Sequence, residues 1–230
     1  MIMKTNTEFK NEALAALKGN WGPAVLAVLV FAGVVLALFV PFFIKSMTLS
    51  SDLTDLEATK GVMGWFWFYF LGLLLIGGPL YVGMVNSFKK LLTSGDNRLV
   101  DNEFKIGFGN WLHHTWGYLL RSVFIILWTL LFFIPGIIKS LSYAMTNYIL
   151  VDYPELSANR AIDLSREMMR GHKYDLFYLY LGFAGWYLLS ILTLGIGYFW
   201  FIPYVQTAQS SFYYEVKADW EARRSLSQTA

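Results

Sequence analysis

Two long stretches without a formal charge constrain this chain most: residues 19–44, between Lys18 and Lys45, and residues 61–88, between Lys60 and Lys89. A helix needs about 20 apolar residues to cross the ~30 Å hydrocarbon core of a bilayer. Both stretches exceed that length, and the spacing predicts crossing helices over 22–44 and 62–86. The first is too long for a cleaved signal peptide, and no A-x-A-like site follows it. Composition agrees: 56% of the residues are hydrophobic and 15% charged, against about 45–50% and 25% in soluble domains. That balance excludes a disordered chain and an ordinary soluble enzyme, and a net charge of only +2 excludes a nucleic-acid binder. The chain has no cysteine, so disulfides, thiolate nucleophiles and iron–sulfur or zinc-thiolate sites are excluded as well.

Two further apolar regions are too long for one crossing each. Gly117 to Asp152 carries only Arg121 and Lys139 before its closing aspartate, and as a single helix it would be about 54 Å long. Pro135-Gly136 lies at its middle, where a helix breaks. The prediction there is two short spans, 118–134 and 137–151, joined by a tight hairpin. Leu176 to Tyr214 is uncharged throughout, and Thr193-Leu194-Gly195-Ile196-Gly197 supplies a turn between spans at 176–193 and 198–214. The fold expected is an all-α membrane protein: one polytopic domain over residues 1–230, with six transmembrane helices as three hairpins and amphipathic cytoplasmic helices.

Basic residues orient these spans, because cytoplasmic loops hold an excess of lysine and arginine. With both termini inside, the cytoplasmic segments contain Lys4, Lys10, Lys18, Lys89, Lys90, Arg98, Lys105, Arg160, Arg166, Arg170, Lys173, Lys217, Arg223 and Arg224. Lys45, Lys60 and Lys139 fall outside, and Arg121 lies at a membrane boundary. A cysteine at Lys139 is therefore expected to react from the exterior and one at Ser165 is not.

Amphipathic helices are predicted at about 6–18 and 157–170, with a shorter one around 101–108. The first opens on the capping-box spacing Thr5-Asn6-Thr7-Glu8 and turns Phe9, Ala13, Ala16 and Leu17 to one face. In the last, Ser157 caps, Ala158, Ala161, Ile162, Met168 and Met169 form the apolar stripe, and Gly171 ends the helix. Each such helix precedes a hairpin, so the chain reads as three weakly related units, with Pro79, Pro135 and Pro203 inside the hairpins. Trp21, Trp65, Trp111, Trp116 and Trp200 fall near the predicted interfaces, where indole rings settle favourably.

The second half of the chain holds Ile134-Pro135-Gly136-Ile137-Ile138-Lys139-Ser140, Pro154-Glu155-Leu156-Ser157-Ala158 and Ala161-Ile162-Asp163-Leu164-Ser165-Arg166-Glu167-Met168-Met169-Arg170-Gly171-His172-Lys173. Gly185-Trp186-Tyr187-Leu188-Leu189 and Ile202-Pro203-Tyr204-Val205-Gln206-Thr207 follow. Together these runs resemble the bacterial membrane-protein family known as domain of unknown function 975. More loosely the chain looks like the membrane domain ahead of some glycerophosphodiester phosphodiesterases, without their catalytic domain. The resemblance implies a bacterial cytoplasmic-membrane location and brings no activity or catalytic residues with it.

Chemistry is sparse. There is no phosphate-binding loop, no H-E-x-x-H, no G-x-S-x-G and no dinucleotide fingerprint. Adjacent His113 and His114 point to different sides of a helix and do not form a chelating pair. No cofactor or metal is expected. No carboxylate falls inside a predicted span, which disfavours ion-coupled transport. Two polar groupings remain. Arg121, Arg160, Arg166 and Arg170 are candidate contacts for lipid headgroups, with snorkelling as the plain alternative for Arg121. Gln206, Gln209 and Ser210 share one face of the last span, and Asn147 lies at a similar depth in the fourth. They are either interhelical hydrogen-bonding residues or the lining of a polar cavity open to the cytoplasm.

The expected function is a non-enzymatic membrane module that interacts with lipids or organises partners. The partners expected are membrane lipids and a protein or second copy of the chain, and nucleic acid is excluded. A small permease or channel using the Asn147–Gln206 face is the alternative. A lipid-phosphate enzyme would have to gather Asp152, Glu155, Asp163 and His172 at one interface.

Overall fold

The computed structural model describes residues 3–47 and 56–229, and among these there is no strand. The elements are α1 (Asn6–Leu17), α2 (Trp21–Met47), α3 (Leu56–Gly72), α4 (Gly78–Ser94), α5 (Leu99–Gly109) and α6 (Trp111–Leu131). They continue as α7 (Phe133–Ser142), α8 (Thr146–Asp152), α9 (Ala158–Met168), α10 (Lys173–Leu181), α11 (Ala184–Leu192) and α12 (Tyr198–Thr229). Four helical segments are long and apolar enough to cross a membrane: Trp21–Met47, Thr59–Ser94, Trp111–Leu131 and Lys173–Leu192.

Local sequence explains most boundaries. Thr5 accepts from the Glu8 backbone N–H while Glu8 bonds back to Thr5 N, closing the capping box that starts α1. Gly19, Gly95 and Gly171 end helices at φ +82°, +67° and +94°, a region that a side chain disfavours. α3 and α4 form one bent helix through a wide turn at Leu73–Gly77. Pro79 causes it: the residue has no N–H, and its ring clashes with the carbonyl four residues back. That carbonyl, of Leu75, accepts instead from Trp111 Nε1 at 2.6 Å.

A packed body is built from α1, α4, α5, α8, α9 and α12. Phe9 of α1 meets Phe212 of α12, with ring centroids 5.4 Å apart, and Tyr148 of α8 stacks on Tyr213 of α12 at 4.7 Å. α4 and α5 approach backbone to backbone: a Cβ at Gly83 would lie 1.9 Å from the Glu103 carbonyl oxygen, and one at Gly107 would lie 2.6 Å from that of Pro79. From this body the apolar hairpins project. α2 buries only Ala24, Ala27 and Val28 near its start. Beyond them α2 and α3 pair through Phe39, Phe42, Phe66 and Tyr69, and their outer faces are exposed and apolar. The α6–α7 tip and the α10–α11 pair expose large apolar side chains in the same way.

Three predicted spans look different in the structure. The segment 137–151 is not one helix, because Tyr143–Met145 breaks it into α7 and α8. The segment 176–193 is interrupted at Gly182–Phe183, between α10 and α11. The segment 198–214 is only the first half of α12, which runs on through Thr229 and is about 48 Å long. The helix expected around 101–108 is α5, and its Glu103 is buried against α4 rather than solvated.

Candidate functional site

Charged side chains gather around α9. Ser157 accepts from the Arg160 backbone N–H at 3.4 Å and caps the helix. Ala158, Ala161, Ile162, Ser165 and Met168 face inward. Ser165 is the pivot of that face: its hydroxyl donates to the Ser142 carbonyl at 2.9 Å and accepts from the Met145 N–H at 3.2 Å. A single side chain thus satisfies two backbone groups freed by the break between α7 and α8. The inward face fixes what the outward face presents. Arg160, Arg166 and Arg170 are exposed, and Lys139, Ser142 and Lys173 complete an open cavity of about 330 Å³ that also contains Asp163 and Glu167.

Five basic and two acidic side chains line this cavity. Arg166 pairs with Asp163 at 2.9 Å, with both side chains about half exposed, so the pair contributes little by itself. Lys139 Nζ lies 4.3 Å from the centre of the Trp128 ring, and the positive charges of Arg166 and Lys173 act on it. The surplus of cations is a ready counter-charge for phosphate oxygens. A larger cavity of about 760 Å³ opens on the other side of α9, where Arg160 and Arg170 are joined by Tyr153, Trp220 and Arg223. α12 holds α9 in place there. Arg223 donates to the carbonyls of Arg170 and Met168 at 3.3 and 3.5 Å, and His172 Nε2 lies 2.9 Å from Asp219.

The placement of Lys139 corrects the expected topology. Lys139 and α9 were expected on opposite membrane faces, yet they line one cavity. The backbone between them is continuous and packed, with Ser142 bonded to Ser165. Ser165 is fully buried, so a cysteine there would report burial rather than sidedness.

Arg121 does not join the α9 cluster. Its Nε donates to the Tyr143 carbonyl at 2.9 Å, on the same helix break that Ser165 serves. Asn147, Gln206 and Ser210 are buried, and Gln209 is half-buried. Tyr148 and Ser210 hydroxyls lie 3.4 Å apart, and Asn86 donates to the Asn147 carbonyl at 2.9 Å. The side-chain oxygens of Asn86, Asn147 and Gln206 are buried without a partner.

The four groups a lipid-phosphate enzyme would gather are engaged separately. Asp152 is bonded to Lys89, Tyr213 and Lys217, with the last two at 2.7 and 3.1 Å. Burial opposes its charge, but these partners hold its carboxyl below the ordinary aspartate value. Asp163 pairs with Arg166, His172 bridges Asp175 and Asp219, and Glu155 lines the larger cavity. Among the described residues no three histidine or acidic side chains are placed to hold a metal ion. Sequence inspection missed the Lys89–Asp152–Lys217 cluster, because its members come from three distant helices.

A helical body carrying exposed apolar hairpins and long apolar helices defines a membrane-type helical protein. Residues 119–219, the stretch that contains α7 to α11 and most of α6 and α12, match the family described as Protein of unknown function (DUF975). The match supports the first of the two resemblances and not the looser phosphodiesterase one. No curated protein and no solved structure matches the chain.

Proposed function

We propose that the chain is a non-enzymatic, multi-pass protein of the bacterial cytoplasmic membrane. Both termini lie on the cytoplasmic side, and the cavity beside α9 engages anionic lipid headgroups. The observation that carries this reading is the cavity lining: Lys139, Arg160, Arg166, Arg170 and Lys173 against Asp163 and Glu167, at the foot of an exposed apolar hairpin. Cations at the headgroup layer with apolar surface beyond them match the two ends of a phospholipid, and each basic group near an anionic surface is worth about 1 kcal/mol. The three hairpins then enter the bilayer from the side that carries α9. Protein partners would approach from that side as well.

The test compares binding of a phosphatidylglycerol and a phosphatidylcholine to the intact protein by native mass spectrometry, with Arg160, Arg166 and Arg170 all changed to Gln in a second preparation. Selective retention of the anionic lipid, lost in the variant, is the expected result. Equal retention of both lipids, or no change in the variant, would overturn the reading.

One observation favours the permease alternative: buried oxygens of Asn86, Asn147 and Gln206 lack partners where α4, α8 and α12 meet. Solute flux in proteoliposomes that is abolished by Gln206→Leu, with the fold intact, would make that reading the better one.

A further inference from the structure

We infer that the α6–α7 hairpin enters only the leaflet on the side of α9, as a re-entrant insertion that does not cross the bilayer. The proposal rests on the reading of the chain as a membrane protein and is independent of which headgroup the α9 cavity binds.

Length carries the first part of the argument. The tip is at Phe132, where the backbone turns through an extended residue. α7 then returns from Phe133 to Lys139, whose ammonium joins the charged cavity of α9. Six residues of helix separate the tip from that charged layer, about 9 Å, whereas a crossing hairpin has to span a ~30 Å core. The α6 leg is long enough to cross, but its first half is committed to the body. His114, Thr115 and Gly117 are buried, and Arg121 bonds Tyr143 at the break before α8. What projects is the stretch Ser122–Leu131, about 15 Å, comparable with the thickness of one leaflet.

The chemistry of the tip carries the second part. Residues 130–138 read Leu-Leu-Phe-Phe-Ile-Pro-Gly-Ile-Ile, with no polar side chain. Leu130, Phe132, Phe133 and Ile134 are 67–79% exposed. A turn that emerged among the opposite headgroups would meet water there. This one is built for hydrocarbon, where backbone groups have to be satisfied internally. Phe132 N–H donates to Trp128 and Gly136 N–H to Phe132. Pro135 sits in the first turn of α7 and has no N–H to leave unpaired. The one hydroxyl near the tip, on Thr129, donates to the Ile125 carbonyl at 2.8 Å. The occupant of this apolar surface is therefore the acyl region of a single leaflet, with Lys139, Arg166 and Lys173 at its headgroup level.

The natural absence of cysteine makes the test direct. Single cysteines are placed in the full-length protein at Asn159 on the exposed face of α9, at Lys139, at Phe133, and at Lys60 beyond the first hairpin. Each is treated with an impermeant maleimide in right-side-out and in inverted vesicles. Positions 159 and 139 should label from one side, 60 from the other, and 133 from neither until detergent is added. Leu130→Cys is a second tip probe should Phe133→Cys fail to accumulate. Labelling of a tip cysteine from either side, or of positions 139 and 159 from opposite sides, would overturn the proposal.

Discussion

Glu103 offers the sharpest test of how the body is packed. Its side chain is fully buried, and neither carboxylate oxygen has a hydrogen-bond partner. It sits there because Gly83 and Gly107 let α4 and α5 approach without intervening Cβ atoms. α5 lies outside the four membrane-length segments, and burial pushes the Glu103 carboxyl up to about 8. A raised carboxyl value means that the folded state keeps its proton while the unfolded chain releases it near the ordinary glutamate value. The native protein therefore loses stability as pH rises from the unfolded value toward 8, and loses no more above that. Each unit between the two values corresponds to about 1.4 kcal/mol, so the full loss approaches ~5 kcal/mol. Glu103→Gln keeps the shape and removes the titration. The stability difference between variant and native protein, measured by denaturant unfolding in micelles, should grow in the variant's favour between pH 5 and pH 8 and then level off. A difference that is flat over that range would refute the burial argument.

Three further outcomes follow from particular contacts. Ser165→Ala leaves the Ser142 carbonyl and the Met145 N–H unpaired in the interior and should cost roughly 2–4 kcal/mol, read as a lowered unfolding temperature. Gly83→Ala drives a Cβ against the Glu103 carbonyl and should destabilise by about 3 kcal/mol or more, with low yield or early unfolding as the measurement. Arg121→Met removes one of the two donors to the Tyr143 carbonyl and leaves the Thr146 N–H, so it should cost about 1 kcal/mol, while anionic-lipid retention by native mass spectrometry stays unchanged.

Features set by short-range chemistry were legible in the chain. Thr5 with Glu8, Ser157, and the glycines at 19 and 171 mark their helix ends as their side chains and φ values require. Pro135 marks the second hairpin, but the turn falls three residues earlier, at Phe132, because proline fits the first turn of the helix it begins. The break at Tyr143–Met145 contains neither glycine nor proline, and Ser165 and Arg121 accommodate it from helices distant in sequence. Glu103 lies within the short helix expected around 101–108, and nothing in the neighbouring sequence marks it for burial. Its burial depends on two glycines, one on each of two helices, which no window of sequence displays together. The basic face of α9 was legible from its period, whereas the arrival of Lys139 beside it was not, since hydropathy counts apolar residues without measuring how far they reach.

The interruptions in the hairpins also share a physical logic that separates structural cations from candidate lipid contacts. A helix that breaks where water is scarce frees a carbonyl, and that group has to find a donor. The Leu75 carbonyl, released by Pro79, takes Trp111 Nε1. The Tyr143 carbonyl, which also accepts from the Thr146 N–H, takes Arg121 Nε, and the Gly182 carbonyl takes Lys10 Nζ at 2.6 Å. A Cβ at Gly182 would lie 2.6 Å from that ammonium, so a side chain there would make Lys10 shift. Two of the charges nearest the apolar segments thus complete backbone hydrogen bonding, which accounts for their positions without any ligand. Lys139, Arg160, Arg170 and Lys173 are different, because no carboxylate forms an ion pair with any of them among the described residues and all four open onto one cavity. Under the proposed lipid-binding reading, an anionic headgroup would find its counter-charge there, where phosphate oxygens relieve the repulsion among those cations.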